Sequence, residues 1–169
     1  MTTREIITLP APILRRKARP VTDFGTEFQT LVDDMIETMR LAPGVGLAAP
    51  QVGIPLQLFV AEWGDDEDDD APKKTYVFAN PEIKRFSRDT EAGVEGCLSI
   101  PGLVGEVERA LSVTIQGQNR RGQPVRVKAN GWLARIFQHE NDHLNGVLFI
   151  DRADTVWQPA SEEEESLEK

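Results

Sequence analysis

Histidine is scarce in this 169-residue chain, occurring only twice. Cysteine occurs once, as Cys97, which forbids an internal disulfide and suits a reducing compartment. No apolar run approaches the roughly 20 residues that a membrane-spanning helix needs. The opening Met1-Thr2-Thr3-Arg4-Glu5 lacks the basic-then-apolar layout of a signal peptide, so a cytoplasmic location is expected. Basic residues are outnumbered, 19 against 28 acidic, for a net charge of −9. Such a chain offers no basic patch for nucleic acid. Part of the negative charge is local, in residues 65–70 and 162–165, which leaves the body nearer neutral. The length suits one domain with its own core.

The two histidines stand together, in Gln138-His139-Glu140-Asn141-Asp142-His143-Leu144-Asn145-Gly146. Positions i and i+4 share a helix face, so two imidazoles at this spacing can hold one metal ion, with Glu140 in reach of a water beside it. A helix is predicted here. Trp132, Leu133, Ile136 and Phe137 fall at helical spacing, Asn130 can cap the start, and Asn145-Gly146 supplies the stop. The bland alternative is two surface histidines on an amphipathic helix.

Upstream, residues 1–25 read as an irregular lead-in broken by Pro10, Pro12 and Pro20. An amphipathic helix follows at about 26–41, its stripe formed by Phe28, Leu31, Val32, Met35, Ile36 and Met39. Gly44-Val45-Gly46-Leu47-Ala48-Ala49 superficially matches a dinucleotide fingerprint, but a helix precedes it where a strand is required. Its glycines suit either a packing turn or a close approach of backbone to a ligand. Strands are predicted at 56–63, 75–79, 82–88, 103–108, 111–117 and 123–129, the last two joined through Asn119-Arg120-Arg121-Gly122. Residues 64–70 lack the residue order of a calcium loop and read as a solvated acidic loop without a role. Residues 1–154 are expected to form a single catalytic domain, with 155–169 an acidic, disordered C-terminal tail.

A catalytic metal of this style takes three protein ligands. The extended pattern with a third histidine fails, because Phe149 stands in its place. Glu162–Glu165 lie at a workable distance but in a polar tail with no core to hold them rigid. Cys97, in Glu95-Gly96-Cys97-Leu98-Ser99, is the better third ligand, although a lone cysteine beside Leu98 and Ile100 also reads as an inert buried hydrophobe.

Three stretches in this order resemble the peptide deformylases: Gly44-Val45-Gly46-Leu47-Ala48-Ala49-Pro50-Gln51, Glu95-Gly96-Cys97-Leu98-Ser99 and Gln138-His139-Glu140-Asn141-Asp142-His143. Lesser similarities extend the resemblance over about residues 6–151. It implies an α+β fold with antiparallel β-sheets packed around a central motif-bearing helix, and an N-terminal amphipathic helix. The implied activity is removal of the N-formyl group from the starting methionine of new polypeptides, with release of formate. One divalent metal per chain is implied, ferrous iron first, with zinc, nickel or cobalt also suited to a Cys/His/His site. Cys97, His139 and His143 would bind it, and Glu140 would act as the proton carrier. The Gln51 amide and the Leu98 backbone N–H would stabilise the oxyanion. The peptide would lie extended against Val45, Gly46 and Gly96. Its methionine side chain would enter a pocket beside Trp132, Arg135 and Ile136, with the Arg135 head reaching water. Plain core packing reads equally well for Trp132 and Ile136. Glu95 is assigned a supporting role behind the ligands, paired with Arg109.

Many family members end in a basic helix that helps dock them on the ribosome, whereas this chain ends in glutamates. Ribosome contact through such a helix is therefore not expected, and neither direct nucleic-acid binding nor membrane binding is. The chain is expected to be a monomer. Two rivals remain. A zinc endopeptidase would need a different third ligand, and a closed structural metal site would need a fourth, for which no further Cys or His exists.

Overall fold

Six apolar residues along one face of α1 (Thr26–Leu41) build the first half of the core: Phe28, Leu31, Val32, Met35, Ile36 and Met39 are all buried. In a computed structural model, which describes residues 2–159, that stripe packs on Leu47, Val52, Leu58 and Val60. Burying each such side chain contributes about 1.5–3 kcal/mol, enough to order a helix of this length that would be marginal alone.

The strands are β1 (Gly46–Ala48), β2 (Leu58–Trp63), β3 (Lys74–Phe86), β4 (Thr90–Cys97), β5 (Ile100–Ala110), β6 (Ser112–Gln118), β7 (Pro124–Asn130) and β8 (Thr155–Trp157). They form two antiparallel sheets, ordered β1-β2-β3-β6-β7 and β4-β5-β8. Helix α2 (Gly131–Leu144) touches strands of both, and α3 (Phe149–Arg152) packs on β5. The anchor of α2 is Phe137, fully buried, with ring centroids 5.2–5.8 Å from Tyr76, Phe78 and Phe59. The architecture is thus α+β, with antiparallel sheets around the motif helix.

Several elements differ from expectation. The strands predicted at 75–79 and 82–88 merge into one, β3, which ends at Phe86 and leaves Ser87 and Arg88 outside it; they merge because Pro81 sits in a register shift between Ala79 and Glu82, where no ladder N–H is needed. There Asn80 takes φ +51°, and its side chain bonds the Val21 N–H and C=O. Strand β4 is not among the strands that the sequence predicts. Residues Thr155–Trp157, expected to open the disordered tail, instead pair with Val104–Glu106. The remainder of that tail from residue 160 lies outside the described residues. Asn130 precedes α2, yet its side chain makes no capping bond. The lead-in is mostly irregular, with a 3-10 turn at Pro12–Arg15.

Candidate metal centre

Helix α2 presents His139 and His143 one turn apart, and the end of β4 brings Cys97 to the same point. His139 Nε2 and His143 Nε2 are 3.2 Å apart, and Cys97 Sγ is 3.3 Å from His143 Nε2. All three ligand atoms lie within 4.8 Å of one another. Adjacent ligands of one tetrahedral ion stand about 3.3–3.6 Å apart, given bonds of 2.0–2.3 Å. Donor chemistry and spacing therefore fit a divalent cation.

Behind the ligands lies Glu95, 6 % exposed. It accepts two hydrogen bonds from Arg109, at 2.8 Å each, and one from Arg135 at 2.7 Å. Its remaining contact, 2.8 Å to His139 Nδ1, makes that nitrogen the donor and turns Nε2 toward Cys97 and His143. Burial alone would raise the Glu95 carboxyl, but hydrogen bonds and charge from Arg109 and His139 outweigh it and hold the group well below the carboxylate range. Burial likewise opposes charge on His139. Its bonds to Cys97 and Glu95 and the nearby Glu140 charge prevail, so its pKa rises. His143 moves the other way, depressed first by burial and then by the charge of His139.

Glu140 is buried, and its Oε1 has no partner among the described residues. Burial, aided by the charges of Glu95 and Asp142, pushes its carboxyl up to about 7 against the pull of His139 and Arg109. A carboxyl that titrates near neutrality can both take and return a proton. Gln51 is held by the Ala48 N–H, which donates to its Oε1 at 2.9 Å. Its Nε2 points to Ser99 Oγ at 3.1 Å and Cys97 Sγ at 3.5 Å. The Leu98 side chain packs on the α1 cluster, and the residue also lines the site. Asp142 faces away from the histidines and binds Arg109 and Arg152.

One cavity of about 480 Å³ opens over this centre. Its walls include Val45, Gly46 and Gly96, and at the α2 end Trp132, Arg135 and Ile136. Gln51, Cys97, Leu98, His139 and Glu140 form the floor, while His143 lies beneath, 1 % exposed. Arg135 corrects one expectation. Its guanidinium is not in water but bonds Glu95, Val107 O and Glu91 O, with the whole residue 7 % exposed. Trp63 and Val94 also line the cavity and were not foreseen. A tryptophan at a strand end carries no local sign of such a role.

The polypeptide deformylase family model matches residues 3–158. A peptide deformylase of Symbiobacterium thermophilum is 47% identical, covering 98% of this chain and 73% of the relative. Among solved structures, the peptide deformylase of Thermotoga maritima superposes with TM-score 0.83 at 42% identity, covering 92% of this chain and all of that one. A class I type b peptide deformylase of Acinetobacter baumannii, bound to Met-Ala-Ser, gives TM-score 0.83 at 38% identity over 89% of this chain and 98% of its own.

Proposed function

The chain belongs to the polypeptide deformylase family, metal-dependent hydrolases that remove the N-formyl group from new polypeptides, and we propose that Cys97, His139 and His143 hold its metal while Glu140, Gln51 and the Leu98 N–H act on the formyl group. The observation that carries this assignment is the meeting of one cysteine sulfur and two imidazole nitrogens within 4.8 Å at the floor of a cavity that also exposes Glu140 and Gln51. A divalent cation held there supplies Lewis-acid polarisation and makes water a nucleophile at neutral pH.

Glu140 takes a proton from the attacking water and delivers it to the departing amine, so that water and formamide become formate and a free amino terminus. As the formyl carbon turns tetrahedral, its oxygen gains charge near Gln51 Nε2, a donor whose amide is held by Ala48 and Ser99 before the reaction begins, and near the Leu98 N–H. The peptide lies extended between Gly46 of β1 and Gly96 of β4, which are both edge strands facing the cavity. Its first side chain enters between Trp132 and Ile136. The Met-Ala-Ser bound to the Acinetobacter baumannii relative supports a methionine-led peptide as the ligand class.

The proposed cation is ferrous iron, in a chain working as a cytoplasmic monomer on nascent peptides. Among the described residues no helix is long and apolar enough to cross a membrane.

Formate release from formyl-Met-Ala-Ser, with protein purified anaerobically and assayed for metal, tests the assignment. Wild type should turn over, while Glu140→Ala should lose about 10²–10⁴ of the rate with its metal retained. Comparable turnover in a metal-loaded Glu140→Ala protein would remove Glu140 from the chemistry. The metal assay reads the cation directly.

A further inference from the structure

Helix α2 is closed at its N-terminus by a residue far away in sequence. The Trp132 N–H donates to Asp66 Oδ2 at 3.1 Å, across 66 positions. The other oxygen of the same carboxylate accepts from Trp63 Nε1 at 2.7 Å. Gly131, at φ +61°, turns the chain into α2 directly beneath Asp66, and a Cβ there would collide with that carboxylate. A negative group at this point also complements the helix dipole.

What Asp66 touches is the wall of the cavity. Trp63 and Trp132 both line it, with ring centroids 6.4 Å apart, and the Arg135 guanidinium lies 5.3 Å from the Trp132 ring. Trp132 is 41 % exposed, so packing alone holds it loosely. One carboxylate ties the ring of Trp63 and the backbone of Trp132 to each other. Meanwhile Glu140 sits eight positions along α2 from Trp132, about 12 Å at 1.5 Å per residue, well removed from this tie.

We propose that Asp66 is a specificity-determining positioning residue. By fixing Trp63 against Trp132 it sets the width of the cavity wall that receives the first side chain of the formylated peptide. The acidic loop thus has one residue with a definite task, and its other carboxylates are solvated. This rests on the assignment of the cavity to the substrate made above.

Steady-state formate release by the metal-loaded full chain tests it, with formyl-Met-Ala-Ser and formyl-Ala-Ala-Ser as substrates. The variants are Asp66→Ala, Asp66→Asn and, as a charge control, Asp69→Asn, whose wild-type side chain makes no hydrogen bond among the described residues. Asp66→Ala should raise KM for the methionine peptide about tenfold with kcat within about threefold, and lower the methionine-over-alanine ratio of kcat/KM about tenfold, the scale of discrimination an apolar pocket achieves. Asp66→Asn keeps one acceptor and should recover part of the loss, and Asp69→Asn should match wild type. Near-ultraviolet circular dichroism of the tryptophans should change in Asp66→Ala alone. An equal loss on both substrates would make Asp66 a helix cap and nothing more. The same effect from Asp69→Asn would replace the tie with the bulk charge of the loop. Absence of formate from the metal-loaded wild type would sink the site assignment itself, whereas normal wild-type turnover with an unchanged substrate ratio in both Asp66 variants would sink only the present inference.

Discussion

A methyl group at position 46 would fall on the Glu140 carboxylate. Glycine there is thus a condition for the side chain that moves the proton, quite apart from any backbone contact with substrate. Gly46→Ala should displace Glu140 and lower kcat by about 10²–10³ with metal content near one per chain, a range set by losing a positioned general base. Wild-type turnover in Gly46→Ala would mean that Glu140 moves without consequence. At this scale the chemistry was largely readable in advance, because a histidine pair at i, i+4 has a meaning that survives any fold. The burial of the Arg135 guanidinium is not legible, for the opposite reason. A helix face tells which side a residue occupies, but not that Glu95, 40 positions earlier, waits there to receive its guanidinium. The role of Asp66 was equally hidden, since its partners are fixed by where β2 ends and α2 begins.

Among the elements, α1 and α2 were legible and the strands only in part. A stripe such as Phe28-Leu31-Val32-Met35 carries its period within itself. Strand β4, with Gly93 and Gly96 among its eight residues, has weak propensity and exists through its ladder with β5. Gly93 also serves the site, since a Cβ there would meet the Arg135 guanidinium at 2.8 Å. The joint between these elements is Arg109, on β5, which binds Glu95 of β4 and Asp142 of α2 at 2.7–2.8 Å while 4 % exposed. Arg109→Ala would leave two carboxylates buried beside each other. It should lower stability by about 3–5 kcal/mol, read as a fall in the urea midpoint at pH 7. Metal affinity should drop about 10–100-fold as Glu95 loses its hold on the His139 ring. Retained stability would show that Arg135 and Arg152 suffice to compensate the two carboxylates.

Over the whole molecule, the lead-in acts as a strap whose contacts sequence could not reveal, because it has no period of its own. Ile7 N–H donates to Gln51 O, Leu9 N–H to Ser99 O and Ala18 N–H to Leu144 O, so residues 7–18 back the oxyanion side of the site and the end of the motif helix. The strap begins at α1. Thr2 N–H and the Arg4 guanidinium both bind Asp34, and Arg4 N–H binds Thr38 Oγ1. The hydrogen bond from Thr2 holds the Asp34 carboxyl below its ordinary 3.8 against the effect of burial, with Arg4 assisting. A carboxyl depressed in the folded state stabilises it at pH values above 3.8, and that contribution fades as pH falls through the lower folded value. Asp34→Asn removes it at every pH. Wild type should therefore exceed Asp34→Asn in urea midpoint by a constant margin from neutrality down to about pH 5, and the margin should close below about pH 4 as the native carboxylate is protonated. A margin that persists undiminished at pH 3 would mean the clasp works through neutral hydrogen bonds, and that the strap is fastened by geometry instead of charge.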